Sequence, residues 1–250
     1  MNESDDMLAI ILAAGMGTRL MPLTKDIPKA LLKINEVTLL ERMIRNCIDA
    51  NISKFILVVG YNKDKVIDSC PEIAEKYDKT NTSVSTYLAS KYIEDSNLEE
   101  DFILINGDNV IDPEIISRLA DSNNTGMIID NFKELDEESF KLIIDDESYN
   151  EDKTIANGKI NSIGKQLDIP SSTGEFIGVS KVITEDIPVF NRILEELIQE
   201  DPQNYYDYAY KDLSEIKTID FVLTNGLKWT EIDDHKDWEN AQKLVNELEG

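Results

Sequence analysis

Residues 7–14, MLAIILAA, form an unbroken apolar run bounded by turn residues. The run is short enough for a buried strand, although periodicity alone leaves a helix open. A second apolar run, ALLKI at 30–34, reads as another strand, with a turn at Asn35-Glu36. Over 37–50 the apolar positions Leu39, Leu40, Met43, Ile44 and Cys47 recur at helical spacing. Residues 54–59 read as a strand rich in β-branched side chains ending at Gly60, and 63–69 and 83–92 read as helices. The acidic stretch 94–101 leads into a strand at 102–106. A helix is expected around 112–120, with Asp112 as N-cap and Pro113 at its first position. This alternation is that of a sheet covered by helices.

Between 125 and 182, short strand-like runs at 127–129, 141–144, 159–163 and 175–182 alternate with charged turns. No Pro/Gly/Ser linker separates them from the rest, so they read as an extension of the same sheet. Helices are expected at 184–200 and 207–216, and a short strand at 228–232. A closing helix over 234–248 carries Trp238, Ala241, Leu244, Val245 and Leu248 on one face.

Composition narrows the partners. Asp and Glu number 50 against 25 Lys and Arg, a net charge of −25 over 250 residues. That surface repels nucleic-acid phosphates and anionic membranes, so neither is expected to bind. Cys47 and Cys70 lack CxxC spacing and read as reduced thiols. Residues 1–6 are acidic, unlike the basic opening of a signal peptide, and are expected to be a disordered start to a domain at 7–250. No apolar run approaches membrane-spanning length, and a cytoplasmic location is expected. With His235 the only histidine, Ser-His-Asp catalysis and His-rich metal sites are poor candidates.

The chemistry concentrates just after the first run. Gly15 and Gly17 suit a loop whose backbone N–H groups approach an anion closely. Thr18 adds a hydroxyl donor and Arg19 a planar fork of donors suited to phosphate. Pro22 and Pro28 stiffen the return, which brings Lys29 to the start of the second apolar run. Two familiar nucleotide loops do not fit: Leu20 stands where GxGxxG needs its third glycine, and no Gly-Lys-Ser/Thr follows.

From residue 12 to residue 31 the sequence resembles the motif LAAGxGTRLxPLTxxxPKAL of the sugar nucleotidyltransferase superfamily. The resemblance implies an α/β fold: one Rossmann-like (GT-A-like) nucleotidyltransferase domain with a mixed, mostly parallel sheet flanked by helices. It implies that the loop, Leu12, Ala13, Ala14, Gly15, Gly17, Thr18 and Arg19, wraps an NTP triphosphate while Lys29 stabilises the α-phosphate. Gly107-Asp108 matches the family's GD pair, whose Asp binds Mg²⁺. In an open α/β sheet that carboxylate also falls at a strand's carboxyl end, where ligands collect. Glu231-Ile232-Asp233 matches an ExD pair that completes the Mg²⁺ site, and strand alternation puts Glu231 and Asp233 on one face. Alternatively Asp233 or Asp234 caps the closing helix. Asn81 falls in a TNN-like stretch near the base, although Thr82 replaces its second Asn.

Residues 133–142, 160–167 and 174–182 are similar to the branch typified by phosphocholine cytidylyltransferases. Lys165 falls where sugar-directed relatives hold the acceptor phosphate with an EKP lysine, but Gln166 and Leu167 replace the usual continuation. Lys141 is either a second phosphate cation or a solvated strand lysine, and Glu175 and Gly178 fall in the acceptor segment. Asp207 within YYDY either receives a cationic head group beside aromatic faces or starts a helix among packed tyrosines. The implied reaction is Mg²⁺-dependent attack of a small acceptor phosphate or phosphonate on the α-phosphate of an NTP, with CTP favoured, releasing pyrophosphate. Arg19, Lys29 and Lys165 are the expected catalytic cations. A sugar-1-phosphate nucleotidyltransferase using UTP, dTTP or GTP is the alternative, and a non-catalytic nucleotide-binding regulator comes behind it. The oligomeric state stays open, a homodimer included.

Overall fold

The structure, a computed structural model, describes residues 7–69 and 82–250, so the readings at residues 1–6, Cys70 and Asn81 lie outside the described residues. In chain order the N-terminal part forms β1 (Met7–Ala13), the short pair β2 (Lys33–Ile34) and β3 (Val37–Thr38), α1 (Leu39–Asp49), β4 (Lys54–Val59) and α2 (Lys63–Ser69). It continues with α3 (Thr82–Asp95), β5 (Asp101–Asn106), β6 (Asn109–Ile111), α4 (Pro113–Ala120), β7 (Gly126–Asp130), β8 (Lys141–Tyr149), β9 (Ile155–Gly164) and β10 (Gly174–Val182). The remainder is α5 (Ile187–Glu200), α6 (Tyr208–Ser214), β11 (Ile219–Leu223), β12 (Trp229–Glu231) and α7 (His235–Glu249).

Strand alternation decides the layers. Leu8 and Ile10 of β1 face one core with Phe102, Leu104 and residues of α3, α5 and α6. Ala9, Ile11 and Ala13 face the other, with α1, α2 and α4. A run buried on both faces has no polar positions to spare, which is why residues 7–13 read as continuously apolar. Each Ile or Leu taken fully out of water contributes about 1.5–3 kcal/mol, enough to offset the about 1–2 kcal/mol per residue of ordering backbone.

Eight strands form one sheet in the order β4-β1-β5-β10-β7-β11-β9-β8. β4, β1 and β5 run parallel, as do β7 and β11, while β10 and β9 run against their neighbours. Six of the eight strands therefore point one way. The two reversed strands lie inside the sheet, so five of its strand pairings are antiparallel and three are parallel. β11 was not foreseen. Asp220 interrupts its apolar run, yet the carboxylate is buried and accepts from Asn124 Nδ2 at 3.0 Å and from Asn157. The run at 30–34 is also different from a full strand: Lys29–Leu31 is a single 3-10 turn, and β2 pairs only with β3, outside the main sheet.

A third core forms where α7 packs on the loop region. Leu20, Leu32, Val110, Ile232, Ala241, Leu244 and Val245 are buried together. Leu20, the residue that breaks the GxGxxG pattern, is thus the apolar anchor of the glycine loop. Among the described residues no helix is long and apolar enough to cross a membrane.

Candidate active site

The loop leaves the carboxyl end of β1 and turns tightly. Leu20 N–H donates to the Gly17 carbonyl at 3.0 Å, and Thr24 Oγ1 donates to the same oxygen at 2.6 Å. Gly17 has φ +63°, a left-handed conformation that side chains resist. Gly15 is different: a Cβ added there would meet nothing within 4 Å. The protein's own packing makes no demand for glycine at that position, which keeps the adjoining space clear for close approach to the backbone. Thr18 is exposed at the start of the turn and, like Gly17, shapes the loop without lining the cavity.

Two pairings bring acids to this loop. The parallel register sets Leu12 beside Asn106, and Gly107 N–H donates to the Leu12 carbonyl at 3.0 Å, so Asp108 emerges next to Ala13–Gly15. β6 and β12 then form an antiparallel ribbon in which Asn109 faces Glu231 and Ile232 N–H donates to the Asp108 carbonyl at 3.1 Å. Carboxylate oxygens of Asp108, Glu231 and Asp233 come within 4.8 Å of one another. Lys29 Nζ lies between two of them, 2.9 Å from Asp108 Oδ2 and 3.0 Å from Asp233 Oδ1. Arg19 Nη2 is 2.7 Å from Asp233 Oδ2.

The electrostatics follow from crowding. Burial opposes the Lys29 ammonium, at 6% exposure, but Asp108 and Asp233 overcome that and hold it above its ordinary range. Burial also works against the Asp233 charge, and Lys29 and Arg19 reverse the balance and hold its carboxyl below the usual value. Glu231 is exposed, yet crowding by the site and the neighbouring charges of Asp108 and Asp233 raise its carboxyl above its ordinary value. Asp108 Oδ1 is buried with no hydrogen-bond partner. An orphaned carboxylate oxygen beside two further acids is an oxygen-donor set suited to a hard divalent cation such as Mg²⁺.

The helix caps fall on other residues. Asp112 accepts from Glu114 N–H at 3.0 Å, with Pro113 at the helix start as expected. Asp234 accepts from Lys236 N–H at 2.7 Å and Asp237 N–H at 3.0 Å in a reciprocal capping box. Asp233 is therefore left to the acid cluster. Asp234→Ala should lower stability by about 1 kcal/mol, checked by denaturant unfolding, because it removes an N-cap.

The other end of the cavity opens where β10 changes partners. Its carboxyl-terminal half pairs with β5, whereas Gly174 and Glu175 pair with β8 and the register against β7 shifts between Phe176 and Ser180. Gly178, at φ +75°, lies in that irregular stretch against the Asn106 side chain. A cavity of about 380 Å³ runs from Leu12, Ala13, Ala14 and Gly15 past Arg19, Lys29, Gly107 and Asp108 to Lys165, Glu175, Gly178 and Asp207. Lys165 Nζ is 3.1 Å from Glu138 Oε2. The rings of Phe140, Tyr205 and Tyr208 lie 5.9–6.4 Å apart. Asp207 is 7% exposed and makes no side-chain cap bond to its helix. Burial pushes its carboxyl up to about 7 despite a hydrogen bond from Tyr206, and its Oδ1 has no partner. Burial likewise raises Glu175, whose Oε2 sits 3.8 Å from Lys133 Nζ.

Lys141 requires a correction. It lies outside the cavity, buried, donating to the carbonyls of Asp136 at 2.9 Å and Ser139 at 3.0 Å. Its ammonium clamps the preceding loop and is not an acceptor-phosphate cation. That loop carries Glu138 and Phe140 to the cavity, two lining residues that sequence reasoning missed. An isolated Glu and Phe in a charged loop give no spacing signal.

Residues 8–152 match the family described as nucleotidyl transferase, and the chain belongs to that family. Over 120 residues it is 36% identical to the bifunctional protein GlmU of Methanococcus aeolicus, covering 46% of this chain and 28% of that protein. Over 97 residues it is 38% identical to the choline-phosphate cytidylyltransferase of Streptococcus pneumoniae, covering 36% of this chain and 42% of that one. The chain thus spans less than half the length of either relative. Its fold is similar to that of the inositol-1-phosphate CTP transferase of T. maritima, with a TM-score of 0.75 at 20% identity over 99% of this chain and 98% of the other.

Proposed function

We propose that residues 7–250 act as one nucleotidyltransferase domain that transfers a nucleotidyl group, from CTP, to a small phosphorylated or phosphonate acceptor. The observation that carries this is the Lys29 ammonium held between Asp108 and Asp233 beside a glycine loop that leaves space at Gly15. An acceptor oxygen attacks the α-phosphorus, the bond to the bridging oxygen of the β-phosphate breaks, and pyrophosphate leaves. The attacking oxygen is already anionic, so no strong base is needed; the barrier is bringing one anion onto another. Mg²⁺ bound by Asp108, Glu231 and Asp233 would supply charge screening and Lewis acidity at the α-phosphate. Lys29, Arg19 and the loop N–H groups bind the triphosphate and stabilise charge as it builds. Lys165 orients the acceptor, so that positioning contributes much of the rate.

The relative from S. pneumoniae and the aromatic residues beside Asp207 support a cytidylyl donor and a cationic acceptor head. Similarity to GlmU supports the second reading, a sugar-1-phosphate nucleotidyltransferase using UTP, dTTP or GTP. Pyrophosphate release over a grid of NTPs and acceptors separates them. Activity with glucose 1-phosphate and UTP or dTTP, and none with CTP and any small phosphoester or phosphonate, would select the second. A non-catalytic regulator fits poorly with a site that keeps the lysine and all three acids.

Asp207→Asn should raise KM for an ammonium-bearing acceptor about tenfold or more, as loss of one partner of a buried charge pair does. KM for a neutral acceptor of similar size should stay unchanged. Equal effects on both would remove Asp207 from head-group recognition.

A further inference from the structure

Both oxygens of Asp233 are engaged by cations that the proposed reaction needs elsewhere. Arg19 Nη2 holds Oδ2 at 2.7 Å and Lys29 Nζ holds Oδ1 at 3.0 Å. A divalent cation reaching Asp233 must displace at least one of them. Conversely, an Arg19 fork committed to Asp233 is not available to a phosphate. The two cations differ in what they can do next. Lys29 is enclosed and keeps a second carboxylate partner, Asp108. The Arg19 side chain is 61% exposed, Asp233 is its one ion-pair partner among the described residues, and it lines the cavity.

We propose that Asp233 is a latch. It holds Arg19 away from the triphosphate until a divalent cation takes the carboxylate, so Arg19 adds to nucleotide affinity only when metal is present. The inference rests on the nucleotide reading of the site and concerns how its two ligands help each other. A cation in the acid cluster competes for Asp233 and repels Arg19, which turns to the nearest anion. By linkage the effect is reciprocal: nucleotide that captures Arg19 frees Asp233 for metal. Asp233 thus couples two ligands that one static picture would treat as binding side by side.

The test is calorimetric titration of CTP into the full chain and its Arg19→Gln variant, once in EDTA and once in excess Mg²⁺. Comparing variant with wild type in the same buffer cancels chelation of Mg²⁺ by the nucleotide itself. The expected ratio of dissociation constants is below about twofold in EDTA and about tenfold in Mg²⁺, the size of one charge-assisted hydrogen bond. In an Asp233→Asn background, Arg19→Gln should weaken CTP binding about tenfold even in EDTA, because Arg19 is already released there. Arg19 is exposed, so the first comparison stands even if the Asp233 variant fails to fold. An equal ratio in both buffers overturns the latch and leaves nucleotide binding intact. No binding of CTP, UTP, dTTP or GTP in either buffer overturns both the latch and the nucleotide reading beneath it.

Discussion

Lys29→Ala should lower turnover by about 10²–10³-fold, the effect of removing one group that stabilises developing charge. Nucleotide affinity should change far less. Lys29 is fixed by its surroundings: the 3-10 turn after Pro28 sets its backbone, and Asp108 and Asp233 set its ammonium. A cation so placed meets the α-phosphate most strongly once charge has shifted toward the leaving pyrophosphate, so its loss falls on kcat. Steady-state kinetics with saturating nucleotide measures this directly. An unchanged kcat with a raised KM for the nucleotide would make Lys29 a binding residue and end the catalytic role proposed for it.

Asp108→Asn should abolish Mg²⁺-dependent turnover, by about 10³-fold, at the upper end for loss of one charge-stabilising group. The melting temperature without Mg²⁺ should stay within about 2–4 °C of wild type, equivalent to roughly 1 kcal/mol for a chain of this size. Two observations motivate the second half. Asp112, not Asp108, caps α4, and Asp108 Oδ1 is already without a partner. An Asn carbonyl can still accept from Lys29, so the folded protein loses little. A large drop in the melting temperature of the metal-free variant would instead assign Asp108 a structural role.

Much of the fold was legible because the chain's period changes with its environment. Residues 54–59 and 63–69 read as strand and helix and form β4 and α2 with those bounds. Where reading failed, a local signal was outweighed by a distant partner. The charge of Asp220 hid β11, since nothing nearby announces that Asn124 and Asn157 will satisfy it. Lys141 failed for a nearer reason: residue types alone do not reveal that the loop just before it folds back so that three of its backbone carbonyls take up the ammonium. The acids of the site were readable singly as candidates. Their convergence was expected only from the family resemblance, because it depends on the β6–β12 ribbon, which pairs residues more than a hundred positions apart. Resemblance to a long motif supplied what periodicity could not, while Glu138 and Phe140 carry no motif at all.

The ribbon also has a consequence for how the protein comes to life during synthesis. β1, the glycine loop, Lys29 and Asp108 leave the ribosome before β12 does, and chains generally fold from the N-terminal side as they emerge. A nascent chain can thus pair β1 with β4 and β5 while two of the three acids are still to be translated. Glu231 and Asp233 arrive with β12, and Ile232 between them is buried against α7, which is made after both. The acid cluster is therefore completed only after β12 has been made. Until then the growing chain holds the glycine loop and one acid of the three, and on the function proposed above a chain broken off before β12 lacks the site that would consume nucleotide.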